Sequence, residues 1–141
     1  MGVPRDKDAK RFYRAAGQRL EDATVLLEAA RTLAAVYLSG YCVECMLKAL
    51  ILTQAGKDKK QEVLDSFRGS GAHNFDRLMA AYERYGGPRP SRKDKELTGA
   101  FLLVGSWDTD MRYQSGTMLV DEGEEFLAAV RRIAAWADGR L

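Results

Sequence analysis

Apolar side chains recur at steps of three and four through Phe12, Ala16, Leu20, Ala23, Leu27 and Ala30, while Arg11, Arg14, Glu21, Asp22, Glu28 and Arg31 fall largely elsewhere on the helical wheel. That spacing predicts a surface helix with one buried face. From about Leu33 to Ala55 the chain is apolar nearly all round, the pattern of a central helix covered on most sides, and Gly56 supplies its stop. Lys57 to Ala72 reads as a charged, glycine-punctuated connection with room for one or two helical turns around Val63, Leu64 and Phe67. Phe75, Leu78, Met79 and Tyr82 predict a third, shorter helix that starts at Asn74 and stops by Gly86-Gly87-Pro88. Ser91 opens a fourth, with Asp94 at the capping-box position and Leu97, Phe101 and Val104 as its apolar row. The last begins at Asp121, with Glu124 at the capping-box position and Phe126, Val130, Ile133 and Ala137 as its core face. No period-two segment interrupts this order, so the expected class is all-α, a bundle of four or five helices.

Composition narrows the picture. A chain of 141 residues fits one domain, residues 1–141 with a core from about 8 to 139, and its 46% apolar and 30% charged content is that of a globular domain rather than a disordered tail. Lys and Arg exceed Asp and Glu by only two, so no nucleic-acid or membrane surface follows from charge alone and any basic site must be local. Two cysteines and one histidine cannot complete a four-ligand zinc site, and no metal or other cofactor is expected. The first residues, MGVPRDKDAKRFYR, are charged where a secretory signal would be apolar, which makes the cytoplasm the expected location. Leu33–Leu52 has the length of a membrane span, but Glu44 and Lys48 interrupt it; it reads as a core helix, with no membrane role.

Four features carry candidate chemistry. Tyr37, Tyr41, Glu44 and Lys48, spaced by four, three and four, share one row of the second helix. Glu44 precedes Lys48 by four, so the two either form a local ion pair or make one wall of a cleft in which Lys48 faces a phosphate. Cys42 and Cys45 have redox-motif spacing, yet lie inside a helical pattern and read as buried core thiols. His73, the single imidazole, serves either as a loop hydrogen-bonding group or as a general base, with Arg68 five residues before it as a phosphate-binding cation. Between Gly105 and Met118 no period is evident, and Trp107, Asp108, Asp110, Arg112 and Tyr113 crowd one stretch. Either Arg112 grips a phosphate while Trp107 or Tyr113 stacks on a base, or Arg112 pairs with Asp108 or Asp110 to order the loop.

Tyr37-Leu-Ser-Gly-Tyr-Cys-Val-Glu-Cys-Met-Leu-Lys-Ala-Leu50, then His73-Asn-Phe-Asp-Arg-Leu78, then Met111-Arg-Tyr113, in that order within an all-α chain, resemble a HEPN domain from about Arg11 to Trp136. The resemblance implies a bundle of four to five helices that usually dimerises, a place in a prokaryotic toxin–antitoxin or defence system, and a minimal nucleotidyltransferase as a possible partner. Many HEPN proteins are metal-independent ribonucleases in which an Arg, four to six residues before a His, holds the scissile phosphate. Arg68 and His73 meet that spacing, but Gly69 stands where a polar residue belongs, and the pair precedes the third helix, whereas the family motif sits later. The resemblance therefore implies a module that binds RNA, a nucleotide or a partner protein through Lys48, Trp107, Asp110, Arg112 and Tyr113 without efficient cleavage. The alternatives are an endoribonuclease using Arg68 and His73 and a helical interaction protein with no nucleic-acid role.

Overall fold

A helix that is apolar on every side must be surrounded, and α2 (Thr32–Ala55) is the axis about which the other elements are laid. The computed structural model describes residues 2–141, and among them the chain forms six α-helices and no strand. Five are the helices that the periodicity predicts: α1 (Lys7–Glu28), α2, α4 (Phe75–Arg84), α5 (Lys95–Val104) and α6 (Val120–Asp138). The sixth, α3 (Lys60–Ser66), is the short helix for which the charged connection has room; it is held to the core by Val63, which is fully buried. By length and composition α2 could span a membrane, but 78% of its most apolar window is buried inside the bundle.

The most extensive helix contact is between α1 and α2, followed by those of α2 with α6, α5 with α6, and α2 with α4. Ala9, Ala16 and Ala23 recur every seven residues on α1 and are wholly buried, so a stripe of small side chains lets the two backbones approach closely. Asp6 caps α1 by accepting from the Asp8 and Ala9 N–H groups. α1 ends sooner than its apolar row suggests. Ala30 takes a left-handed conformation (φ 59°), and the Ala30 and Arg31 N–H groups donate to the Leu27 and Leu26 carbonyls, closing the helix and reversing the chain into α2. Asn74 caps α4 and Asp94 caps α5; the latter corrects the expected start at Ser91, which lies in the preceding turn. Leu119, not Asp121, is the N-cap of α6, and no side chain caps it. The two ends of the chain lie together, with the Gly2 N–H 3.4 Å from the Asp138 carbonyl and the Tyr13 hydroxyl 2.8 Å from the Asp138 carboxylate.

Two elements outside the helices carry side chains to α2. The turn before α4 delivers His73, anchored by buried Ala72 and Phe75. The loop after α5 delivers Trp107, whose indole lies against the α-carbon of Gly40 so closely that a Cβ there would overlap the ring. Gly40→Ala should therefore lower stability by about 1–3 kcal/mol, the cost of overpacking a rigid contact. Gly17→Ala, at a helical position with open space around it, should raise stability by about 0.5–1 kcal/mol. Urea unfolding of the two variants checks both signs, and unchanged stability in Gly40→Ala would contradict the Trp107 packing described.

Candidate functional site

Polar side chains on the buried face of α2 need partners, and the row from Tyr37 to Lys48 supplies most of its own. Glu44 is buried, its side chain 7% exposed, and its two carboxylate oxygens have separate partners: Lys48 Nζ donates to Oε2 at 3.0 Å, and His73 Nδ1 lies 2.6 Å from Oε1. The first contact is the local ion pair that the sequence offers as one of two readings. The second, across 29 positions of chain, has no sequence signal, because no local periodicity links a turn residue to a helix so far away. Lys48 is sealed: its side chain is 6% exposed and its ammonium lies 5.8 Å and 5.2 Å from the ring centres of Phe12 and Phe67. Phe12 of α1 and Phe67, just beyond α3, thus close over Lys48, and it presents no charge to a phosphate.

His73 keeps 44% of its side chain exposed, with Nδ1 committed to Glu44 and Nε2 as its remaining hydrogen-bonding atom. Arg68 is exposed just beyond α3. The cation packed against the His73 turn is instead Arg77 of α4, whose guanidinium occupies the space a Cβ on Gly71 would need.

Further along α2, the Tyr37 and Tyr41 hydroxyls are 3.0 Å apart, and Trp107 covers both rings. Burial, the hydrogen bond with Tyr37 and the charge of Glu44 push the Tyr41 phenol above its ordinary range, so it stays protonated. Trp107 corrects an expectation. It is 6% exposed, it stacks on Phe75 with ring centres 5.1 Å apart, and its indole N–H donates to the Tyr37 carbonyl at 2.9 Å. Both of its faces and its polar handle are used within the protein, so it offers no surface to a nucleobase.

Arg112 and Tyr113 have the opposite fate. Both are exposed, Tyr113 by 76%, and the guanidinium lies 4.9 Å from the Tyr113 ring centre. The expected pairing of Arg112 with Asp108 or Asp110 does not form: Asp108 caps its own turn by accepting from the Asp110 N–H at 2.9 Å, and Asp110 faces solvent. Burial pushes the Cys42 thiol up to about 12 and the Cys45 thiol up to about 11, which leaves both unreactive near neutral pH. Among the described residues no group of three or more His, Cys, Asp and Glu side chains could hold a metal ion.

Lys48→Met removes one of the two partners of the buried Glu44 carboxylate and should cost about 3 kcal/mol. Combining it with Glu44→Gln should recover most of that loss, because the buried charge goes with its partner. Chemical denaturation of the parent, the single and the double variant measures the recovery. A double variant no more stable than Lys48→Met would show that the pair does more than neutralise itself.

Two kinds of side chain therefore meet along α2: a sealed set, Glu44, Lys48 and Trp107, and a presented set, His73, Arg112 and Tyr113. Comparison with protein-family models gives a match to the HEPN domain over residues 9–139. No match was found among curated proteins or among solved structures. That match covers nearly the whole chain, includes the Glu44–Lys48 helix and the His73 turn, and agrees with an all-α bundle; the chain belongs to the HEPN domain family.

Proposed function

We propose that this HEPN domain is an RNA-binding module of a prokaryotic toxin–antitoxin or defence system, located in the cytoplasm, and that it lacks efficient nuclease activity. The observation that carries the reading is the exposed Arg112–Tyr113 pair, whose arginine lines the same cavity as Tyr37. A guanidinium offers fork geometry to a phosphate, and an exposed tyrosine ring offers a stacking face to a base. Of the other candidates, Lys48 and Trp107 are sealed and Asp110 is a carboxylate facing solvent, so Arg112 and Tyr113 are the two that suit a polyanion.

One observation favours the ribonuclease alternative. A buried carboxylate 2.6 Å from His73 Nδ1 holds the ring as an orienting group holds a general base. In that reaction Nε2 takes the proton of the ribose 2′-hydroxyl, the 2′-oxygen bonds to phosphorus, and the bond to the 5′-oxygen breaks as that oxygen takes a proton from water. Arg68 or Arg77 would hold the phosphate. We favour binding because Arg68 is separated from His73 by a turn whose packed cation is Arg77.

The decisive assay is cleavage and binding of mixed cellular RNA in EDTA by the parent, His73→Ala and Arg112→Ala, with folding checked by circular dichroism. We expect little cleavage, binding weakened about tenfold in Arg112→Ala, and binding nearly unchanged in His73→Ala. Metal-independent cleavage that a folded His73→Ala variant loses would establish the nuclease instead.

We also propose that the module forms a homodimer, with a minimal nucleotidyltransferase as its partner protein. α2 is covered within the bundle, and of the exposed large apolar side chains, which also include Val25 of α1, we assign to the second copy those at the end of α5 and the start of α6, where Leu102 is 77%, Leu119 70% and Val120 40% exposed. Light scattering at micromolar concentration should give about twice the 15.7 kDa chain mass, falling to one chain in Leu102→Asp with Leu119→Asp. A parent protein that remains a single chain at that concentration removes the dimer.

A further inference from the structure

The acids near the start of α6 exceed what the helix itself uses. Asp121 and Glu122 lie in its first turn, where the dipole favours a carboxylate, but Glu125 lies a turn later, where that effect has faded. Glu122 and Glu125 are exposed and three positions apart, so they share one side of the helix. Neither takes part in an ion pair among the described residues. The arginines further along α6 bond elsewhere, Arg131 to the Thr24 hydroxyl and Arg132 to Glu96.

Both carboxylates line a cavity of about 270 Å³ where α5, α6 and the loop between them meet α2. Its deepest residues are Val36 and Phe126, which are buried, and around them stand Leu103, 38% exposed, and the half-buried Met111 and Met118. Glu122 and Glu125 are the only charged residues in the lining among those described. An apolar hole bordered by charge of one sign suits an occupant that is apolar where it enters and cationic beside that point.

Size and shape narrow the occupant further. The volume is below the roughly 300–1,000 Å³ of pockets that enclose a drug-sized ligand, and it suits one large side chain. No strand is present among the described residues, so no sheet edge is offered to an extended peptide. Two acids one helical turn apart instead match two cations one turn apart on a second helix. The thioethers of Met111 and Met118 let the hole reshape around Leu, Met or Phe.

We propose that this cavity docks a basic amphipathic helix of a partner protein, which inserts one large apolar side chain and sets two Lys or Arg, three or four residues apart, against Glu122 and Glu125. The surface differs from the patch given to the second copy: Leu103 lines it, and Leu102, Leu119 and Val120 do not. The inference goes beyond the RNA reading, since neither Arg112 nor Tyr113 lines the cavity, and it identifies the partner by surface chemistry and not by activity.

The probe is a synthetic alanine-based helical peptide of about 18 residues, with one central Leu and a Lys on either side of it at helical spacing, followed by fluorescence anisotropy. It should bind with a Kd of about 100 µM, and forms with Ala for the Leu or Glu for both Lys should bind about tenfold more weakly or worse. In protein with isotope-labelled methionine methyls, the Met111 and Met118 signals should move on titration, while those of Met46 and Met79, which do not line the cavity, stay in place. Glu125→Lys should keep the parent unfolding midpoint, since the side chain is exposed, weaken the Lys peptide about tenfold and strengthen a form in which one Lys is replaced by Glu. No binding of the Lys peptide at about 1 mM would overturn the proposal, as would equal binding of the Ala form, which would reduce the contact to charge alone. Methionine shifts that leave out Met111 and Met118 would place the peptide elsewhere and overturn it too. A peptide that splits a dimer into single chains by light scattering would give the cavity to the second copy and remove the partner helix. None of these results bears on Arg112-dependent RNA binding, which is measured separately.

Discussion

A carboxylate in the middle of an apolar helix is the constraint around which this bundle is arranged. Glu44 cannot leave α2 for water, and leaving it charged and alone would cost several kcal/mol, so each of its oxygens must find a donor. Lys48 provides one from the same helix and His73 the other from the turn before α4. The needs of the lysine then propagate. Its ammonium brings Phe12 of α1 and Phe67 beyond α3 into edge-to-face contact, with ring centres 5.5 Å apart. One buried acid thus couples α1, α2, α3 and the start of α4, and it does so through directional bonds where packing alone would tolerate rotation of each helix.

The opposite end of the row is organised by shape. Gly40 opens a slot on α2, Trp107 fills it, and the indole N–H reaches the Tyr37 carbonyl. With the indole anchored, the following residues are held near α2 without being buried, which leaves Arg112 and Tyr113 facing water. An ordered anchor followed by exposed polar side chains is how a loop presents groups in a defined place without the cost of arranging them anew on binding.

Much of the bundle is legible in the chain itself. Period 3.6 and strong punctuation reveal five helices, and the four-residue spacing of Glu44 and Lys48 offers their pairing as one of two readings, because these are local properties of a helix. The end of α1 is hidden because its left-handed residue is Ala30, where a glycine would have announced the turn. The start of α5 at Lys95 is misplaced by Ser91, a good capping residue that serves in a turn instead. In the candidate site the limit is physical: whether an aromatic or a cation is buried depends on what approaches from elsewhere. Trp107 and Tyr113 lie six positions apart in one polar stretch, and only the glycine on a helix 67 positions before Trp107 decides which of them is hidden. The His73–Glu44 contact is illegible for the same reason.

The meeting of the two chain ends has a topological consequence. Gly2 and Tyr13 both touch Asp138, so the first and last helices are neighbours at the ends as well as along their lengths. A short peptide joining Leu141 to Gly2, with the chain opened in the exposed Arg89–Asp94 connection, would permute the order in which these helices are written while leaving every helix beside the same neighbours. The site on α2 would then be assembled from segments in a different order, since its parts depend on adjacency in space and not on sequence order.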